Sequence, residues 1–190
     1  MEMIAASGKM GIGVMVELCQ GVLDGRGMPD EWALSVLVPI FKRKGDAMSC
    51  EAYRGVKLLE HAMKIVEKVL EKRLRHVVKV NEMQFGFMPG KGMIDAVFIL
   101  RRLQEEYLEK EKRLYMCFVD LEKAFDRVPR KVVEWALRKR GVPEVMVKAV
   151  MSLYEGSKTR VRVGHELSEE FEVKDGVHQG SALSPLLLRL

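Results

Sequence analysis

The stretch Leu114–Pro129, LYMCFVDLEKAFDRVP, decides how this sequence is interpreted. Its first part is an apolar run without polar alternation, which predicts a central β-strand over 114–121 that is covered on both faces. The run ends on a carboxylate, Asp120, and Asp126 follows six positions later. Either aspartate could form a turn or cap the next element. Alternatively, Asp120 is a metal ligand held rigidly at a strand end, with Asp126 carried away from it by the intervening turn.

The residues upstream of this stretch predict helices, a strand and loops. Apolar residues at helical spacing predict a helix over 13–24, with Met15, Leu18, Cys19 and Val22 facing the core. LSVLVPIF predicts a strand over 34–41, followed by a polar, basic loop. Longer helices are predicted over 60–80 and 94–111, separated by a glycine- and proline-rich loop over 85–92.

The helix predicted over 60–80 has two distinct faces. Its buried stripe is expected to contain Met63, Val66, Leu70, Leu74 and Val77. The remaining surface combines basic residues with glutamates and predicts a solvated face linked by ion pairs. The residues of that face are Lys64, Glu67, Lys68, Glu71, Lys72 and Arg75.

Downstream of Pro129 the sequence predicts two helices, a hairpin and the start of another helix. The helices cover 129–140 and 143–156. KTRVRVG and EFEVKD alternate in polarity and predict an antiparallel hairpin with Lys158, Arg160 and Arg162 on one face. Ser184 and Pro185 are predicted as N-cap and first residue of the last helix. Together the elements predict a mixed α/β fold around one small sheet.

Composition narrows the class of protein but not its function. The 190 residues carry a net charge of +5, with 32 basic residues among 27 acidic ones. This balance fits either a polyanion partner or an ordinary solvated surface. Cys19, Cys50 and Cys117 lack metal-site spacing and are expected to be reduced thiols, with Cys117 in the core. Without a signal peptide or a membrane-length apolar segment, we expect an intracellular protein, nuclear or cytoplasmic, that does not contact a membrane.

Five motifs together resemble the reverse transcriptases of non-LTR, LINE-type retrotransposons. FVDLEKAFDRVP resembles the first palm motif of that family, and GVHQGSALSP resembles the next one. Upstream, three segments resemble its finger motifs in the family's order and spacing: VPIFKRKGD, YRGVKLLEHAMKIVEKVLEKRL and QFGFMPGKGMIDA. The resemblance covers residues 10–190 and implies a right-hand polymerase fold, with a fingers-like subdomain over 1–112 and a partial palm with an incomplete sheet over 113–190.

The palm resemblance implies a role for several residues around Asp120 and Gln179. Asp120 and the Leu121 carbonyl would bind catalytic Mg²⁺ or Mn²⁺. Lys123 and Ala124 would offer backbone N–H groups to the incoming triphosphate. Phe125 would pack under the sugar and exclude a 2′-hydroxyl, although a plain core aromatic is equally compatible with the sequence. Gln179 and Gly180 would contact the incoming nucleotide, with Gly180 allowing close backbone approach.

The finger resemblance implies contacts with phosphate groups. Arg54 and Lys42 would bind the triphosphate, as a fork and a point charge respectively. The loop 85–91 would contact the template or primer backbone, through Phe85, Gly86, Pro89, Gly90 and Lys91. The implied partners are an RNA template, a DNA primer and deoxynucleoside triphosphates; the oligomeric state is not predicted. Met88 stands where many family members have arginine, which removes one expected backbone contact.

The family's third palm motif, an aromatic-x-Asp-Asp hairpin, does not occur among the 190 residues. We therefore expect a fragment of fingers and half a palm, without thumb or preceding endonuclease domain, that is inactive by itself. Two alternatives remain open. One is a non-catalytic remnant that binds nucleic acid weakly because Glu169, Glu170 and Glu172 neutralise the basic hairpin face. The other is a pseudogene-derived chain that does not fold stably.

Overall fold

The computed structural model describes residues 6–190. The chain divides into two compact units. The larger unit comprises the residues up to Lys79 together with Ala124–Leu190, and the smaller unit is Val80–Lys123. The prediction of a mixed α/β fold is confirmed, whereas the subdomain boundary between residues 112 and 113 stays a prediction.

Among the described residues, the larger unit has six helices. They are α1 (Gly8–Leu23), α2 (His61–Val77), α4 (Ala124–Arg127), α5 (Arg130–Lys139), α6 (Glu144–Ser152) and α7 (Ser184–Leu187). Short 3₁₀ turns cover Asp30–Ala33 and Cys50–Ala52. Helix α5 follows Pro129 and ends before Gly141, whose φ of +73° breaks the helical path at no steric cost.

The sheet of the larger unit has five strands. They are β1 (Leu34–Phe41), β2 (Tyr53–Leu58), β3 (Lys158–Val163), β4 (Glu166–Leu167) and β5 (Phe171–Glu172). Strand β1 pairs antiparallel with β2 and parallel with β3. Strand β3 also pairs antiparallel with β4 and with β5, which confirms the predicted hairpin. The sheet thus joins segments from both ends of the sequence.

The core of the larger unit is built from the apolar faces of its helices. The predicted stripe of α2 is confirmed at four positions, but Val77 is 38% exposed because it is the last residue of the helix. Stripes of α5, α6 and α7 supply further buried side chains. The buried apolar residues of these four helices are Met63, Val66, Leu70, Leu74, Val133, Ala136, Leu137, Val147, Ala149, Val150, Leu186 and Leu187.

The smaller unit contains helix α3 (Met93–Glu109) and non-helical segments on either side of it. An Asp95 carboxylate oxygen accepts a hydrogen bond from Gly92 N at 2.7 Å, which fixes the start of α3. Glu106 and Lys110 form an ion pair one turn apart on this helix. Many apolar side chains of α3 are exposed, including Ile94 at 83% and Phe98 at 62%.

The prediction of a buried strand over 114–121 is wrong for this structure. Residues 112–121 belong to no helix or strand, Phe118 and Val119 are about four-fifths exposed, and Cys117 is exposed rather than in the core. The apolar run indicates a tendency to be buried, but a strand also needs a hydrogen-bonding neighbour. The apolar composition supported burial of this segment, but it carried no information about a neighbouring strand.

Two further predictions need correction. No element was predicted for strand β2, because Arg54, Gly55 and Lys57 obscure its apolar pattern. Ser184 is not the N-cap of α7 but its first residue. The Ser181 hydroxyl oxygen caps that helix start instead, accepting hydrogen bonds from Leu183 N at 3.0 Å and Ser184 N at 3.3 Å.

Across the described part of the chain, no helix combines the length and apolar character needed to cross a lipid bilayer.

Candidate functional site

The segment 175–183 is attached to two other predicted site segments by backbone hydrogen bonds. Val177 N donates to Phe125 O at 2.7 Å, and Gly176 N donates to Val128 O at 2.9 Å. Further along, Lys57 N of β2 donates to Gln179 O at 3.1 Å. The structure therefore brings Phe125, Gln179 and strand β2 together, although they are far apart in sequence.

Gly176 is required for this attachment. Its φ is +80°, and a Cβ at this position would lie 2.6–2.8 Å from backbone atoms of Phe125 and Asp126. Any side chain would separate the segment from α4. The sequence motif included Gly176, but only the packing shows why a glycine is needed there.

A buried polar cluster lies beneath the same segment. His178 is 3% exposed, and its ring packs on Tyr154 with centroids 4.8 Å apart. Its Nδ1 atom is 4.0 Å from Oε1 of Glu67, which has no exposed surface. Burial lowers the pKa of His178; the Lys57 and Arg130 cations also lower it, whereas Glu67 opposes them. The placement of Glu67 on a solvated face is therefore wrong: helical spacing located its helix but not the loop that covers it.

Arg130 joins the cluster to the backbone of two elements. Its Nη1 donates to Tyr154 O at 2.7 Å and its Nε to Gly176 O at 3.3 Å. Its guanidinium carbon also lies 5.3 Å from the centre of the Tyr154 ring. Burial lowers the pKa of Arg130, although Tyr154 and Asp175 partly offset this effect. Arg130 carried no sequence prediction; its position directly after Pro129 gave no signal of these long-range contacts.

Lys57 and Arg54 lie on opposite faces of β2. Lys57 is 8% exposed, whereas Arg54 is exposed, as the alternation of a strand requires. Burial lowers the pKa of Lys57 and nearby Arg130 lowers it further, whereas Asp126 raises it. The cation of β2 that faces α4 and the 175–183 segment is thus Lys57. It lies within a finger motif, but the sequence predicted no role for it.

Gly180 and Lys42 already have partners in the protein itself. Gly180 has a φ of +112°, and a Cβ there would lie 3.2 Å from Lys57 O. The close approach expected of Gly180 is therefore made to a strand of the same chain. The Lys42 ammonium donates to Glu51 O at 2.9 Å, and its side chain is exposed.

The smaller unit contains Asp120, Leu121 and Lys123. All three are exposed, and Asp120 follows an irregular segment instead of ending a strand. Lys123 has a φ of +51°, a left-handed conformation that is uncommon for a residue with a side chain. Such a residue turns successive N–H groups toward one side, as anion-binding backbone nests do. This geometry is compatible with the role that the resemblance gave to Lys123.

The loop 85–91 of the smaller unit is held by local contacts. The Lys91 ammonium lies 5.4 Å from the centre of the Phe85 ring and donates to the Glu82 carbonyl. Gly90 has a φ of +72°, and Lys91 N donates to Met88 O at 3.3 Å, which closes a turn. Gly86 O accepts a hydrogen bond from the Gln84 side chain at 3.3 Å, and Pro89 is exposed. Lys91 is thus partly occupied by its own loop.

The basic face of the hairpin is partly neutralised. Glu170 accepts hydrogen bonds from Lys158 Nζ at 2.9 Å and Arg160 Nη2 at 3.3 Å. These contacts lower the pKa of Glu170. The expectation that glutamates of the hairpin offset its basic residues is confirmed for Glu170, whereas Glu172 lies beside Lys174 instead.

A cavity of about 870 Å³ in the larger unit lies among residues other than those predicted for the site. Its lining includes Trp32 and Met63 and charged groups of both signs, such as Arg26 and Glu155. The lining residues do not include those predicted to bind metal or nucleotide, so the candidate site is better defined by the hydrogen-bonded segments than by this cavity. Among residues 6–190, no group of three or more His, Cys, Asp or Glu side chains is arranged to hold a metal ion.

Comparison with known proteins decides the family. Residues 41–190 match the family model described as reverse transcriptase (RNA-dependent DNA polymerase). The chain belongs to the reverse transcriptase family. It is 30% identical over 166 residues to the probable RNA-directed DNA polymerase from transposon X-element of Drosophila melanogaster. It is 29% identical over 153 residues to the retrovirus-related Pol polyprotein from type-1 retrotransposable element R2 of Nasonia vitripennis.

These alignments cover most of this chain but little of its relatives. They span 84% and 80% of the chain, but only 18% and 15% of the respective relatives. A third relative, the retrovirus-related Pol polyprotein from type-2 retrotransposable element R2DM of Drosophila melanogaster, is 28% identical over 94% of the chain and 17% of its own length. The resemblance to reverse transcriptases of non-LTR retrotransposons is confirmed, and this reverse transcriptase chain corresponds to a limited part of the longer proteins.

Proposed function

We propose that this chain contributes to an RNA-directed DNA polymerase by binding the incoming deoxynucleoside triphosphate. The observation that carries this proposal is the hydrogen bonding of the 176–180 segment to Phe125 and to β2. It joins three motifs that the family resemblance assigned to the nucleotide. Because these motifs are far apart in sequence, local chain geometry cannot account for their proximity.

In the proposed reaction the primer 3′-hydroxyl loses its proton to solvent and attacks the α-phosphate of the nucleotide. A new P–O bond forms, the bond between the α-phosphorus and the bridging oxygen breaks, and pyrophosphate leaves. Gln179 and Gly180 contact the nucleotide, and Phe125 packs under its sugar. Backbone N–H groups of Lys123 and Ala124 bind the triphosphate. Arg54 and Lys42 add positive charge; the Lys42 ammonium donates one hydrogen bond to Glu51 O and has further N–H groups for a phosphate oxygen.

We propose Asp120 and the Leu121 carbonyl as ligands for a divalent ion, Mg²⁺ or Mn²⁺. Reverse transcriptases as a family use divalent metal ions, which stabilise the charge that develops on the phosphates. Asp120 is the one carboxylate proposed for this ion, and one carboxylate binds such ions weakly against water. We therefore expect these two ligands to form an incomplete metal site.

The remaining contacts concern nucleic acid. We propose that the loop with Phe85, Gly86, Pro89, Gly90 and Lys91 contacts the backbone of an RNA template or a DNA primer. We assign this loop to a fingers-like subdomain over 1–112, which is followed by a partial palm over 113–190. We also propose that the protein acts inside the cell. The lysine and the exposed loop backbone provide the phosphate-binding groups.

Two measurements on the 190-residue chain test the proposal. Primer extension with Mg²⁺ should be absent, because the metal site is incomplete. A fluorescent deoxyadenosine triphosphate analogue should bind, and Gln179→Ala or Arg54→Ala should weaken binding about fivefold or more, since each removes a direct contact. Lys131→Ala, an exposed change in α5 outside the proposed site, is the matched control and should leave binding unchanged. Robust extension that survives Asp120→Ala would contradict the site assignment.

A further inference from the structure

Glu67 is the charged residue whose environment the proposed function leaves unexplained. It lies on α2 between basic neighbours, yet it has no exposed surface. Burying a carboxylate is costly unless other groups compensate it. Glu71, one turn further along the same helix, illustrates the ordinary alternative: its side chain remains partly exposed and pairs with Arg75.

The two carboxylate oxygens of Glu67 face two positions of one loop. Oε2 accepts a hydrogen bond from Ala182 N at 3.3 Å. Oε1 faces Nδ1 of His178 at 4.0 Å and accepts no hydrogen bond from any residue in the described part of the chain. The carboxylate therefore contacts the residue immediately before Gln179 and the second residue after Gly180.

The rest of the loop is fixed from its other sides. Gln179 O is held by β2, and Ser181 Oγ accepts hydrogen bonds from the two amides that begin α7. Tyr154 packs against the His178 ring, with the ring centroids 4.8 Å apart. Helix α2 contributes Glu67 to this arrangement. Its carboxylate faces His178 and Ala182, the residues on either side of the stretch that contains Gln179 and Gly180.

We propose that Glu67 is a positioning residue, whose buried carboxylate holds Gln179 and Gly180 in the conformation that receives a deoxynucleoside triphosphate. This inference rests on the proposed function for the nature of the ligand. Glu67 itself does not contact the nucleotide; it acts through the loop. It also gives the α2 part of its finger motif, to which no role was assigned, a physical connection to the motif that contains Gln179.

The first experiment measures amide hydrogen exchange in the 190-residue chain without nucleotide. Glu67→Leu fills a similar volume but leaves the Ala182 amide without its acceptor. We expect the amides of Ala182 and its loop neighbours to exchange about tenfold faster, while those of α2 and α5 stay unchanged. Glu67→Gln keeps a carbonyl acceptor and should restore most of the protection. Glu71→Leu is the matched control and should leave the loop unaffected.

Two results of this experiment would overturn the inference. One is loop exchange in Glu67→Leu that equals that of the natural chain. The other is uniform acceleration throughout the larger unit, which would show that Glu67 only supports overall stability.

The second experiment measures binding of the fluorescent deoxyadenosine triphosphate analogue. Glu67→Leu should raise its Kd about fivefold or more, whereas Glu71→Leu should change it less than about twofold. A loosened loop with an unchanged Kd would overturn the positioning role. If the natural chain binds no triphosphate, the proposed function fails, but the exchange experiment still decides whether Glu67 holds the loop.

Discussion

The segments 112–121 and 175–183 each overlap one of the two motifs that resemble palm motifs, and their surroundings are opposite. The first is rich in apolar residues, yet Tyr115, Phe118 and Val119 are each more than 75% exposed. The second is rich in small and polar residues, yet His178 and Ser181 are each at most 5% exposed. Composition alone would have assigned the two environments the other way round.

The difference lies in backbone partners. Residues of the 175–183 segment exchange hydrogen bonds with α4, with β2 and with the Glu67 carboxylate. Their polar groups can therefore be buried without a large penalty. The 112–121 segment lies in no sheet, so its apolar side chains have no strand neighbours against which to pack. Burial in this protein follows hydrogen-bond partners as much as side-chain hydropathy.

The most severe test of this comparison is Gly176→Ala. The added methyl group would overlap the backbone of Phe125 and Asp126 at a positive φ, so we expect a loss of about 4 kcal/mol or failure to fold. Urea denaturation followed by circular dichroism measures the change. Gly164→Ala is the control: its φ is +62° but the site is open, and it should cost about 1 kcal/mol. Equal losses for both variants would mean that the 175–183 segment is not packed as described.

A pair of truncations compares a buried with an exposed apolar side chain. Leu74→Ala removes a fully buried side chain of α2 and should cost about 3 kcal/mol in unfolding free energy. Phe118→Ala removes a side chain that is 76% exposed and should cost less than about 0.5 kcal/mol. Chemical denaturation of both variants gives the comparison. A large cost for Phe118→Ala would show that the 112–121 segment is buried in solution.

The pH dependence of stability should report on His178. Because burial lowers its pKa in the folded state, the folded chain favours the neutral ring. The unfolded chain binds the proton more readily, so stability is retained above the ordinary histidine pKa and decreases as the pH falls through it toward the folded-state value. We expect a smaller loss between pH 7 and pH 5 for His178→Gln than for the natural chain. Parallel curves for the two proteins would contradict the buried position of His178.

The smallest expected effect concerns the hairpin face. Glu170→Gln frees Lys158 and Arg160, so the affinity for a single-stranded oligonucleotide should rise, by no more than about threefold at low salt. Fluorescence anisotropy at two salt concentrations measures this change. Glu166→Gln, on the neighbouring strand β4, serves as the control. A large gain in affinity would favour the view that the chain is mainly a nucleic-acid-binding remnant.

Periodicity predicted the helices and strands whose own sequence shows which face is buried. Helices α2, α5 and α6 appear close to their predicted ranges, because an apolar stripe at helical spacing specifies both the helix and its buried face. Helix α1 was also predicted, but it begins at Gly8 instead of residue 13, and of its four predicted core residues Val22 alone is buried. Strand β1 and the β3 hairpin were predicted for a similar reason, from strand-forming residues and alternation. These elements include most of the core.

The site was predicted less completely, because its decisive contacts join distant segments. The residues around Glu67 in the sequence do not distinguish it from Glu71. The two differ because the 175–183 segment covers Glu67. Lys57 and Arg130 were missed for the same reason, since their importance arises from the approach of β2, α5 and the 175–183 segment. The structure joins the segments of Gln179 and Phe125 by backbone hydrogen bonds, and the motif resemblance could not show which groups hold them there.

The parallel pairing of β1 with β3 has a consequence for how the chain is made. Ser35 and Thr159 hydroxyl oxygens lie 2.7 Å apart across this pairing, although the two residues are 124 positions apart. At ~5–20 residues per second, a ribosome needs about 6–25 s to synthesise the intervening chain. During that time the β1 edge that later pairs with β3 has no partner, and such edges promote aggregation. Synthesis from an intact ribosome, with chaperones that shield this edge, should therefore yield more folded protein than refolding at high concentration.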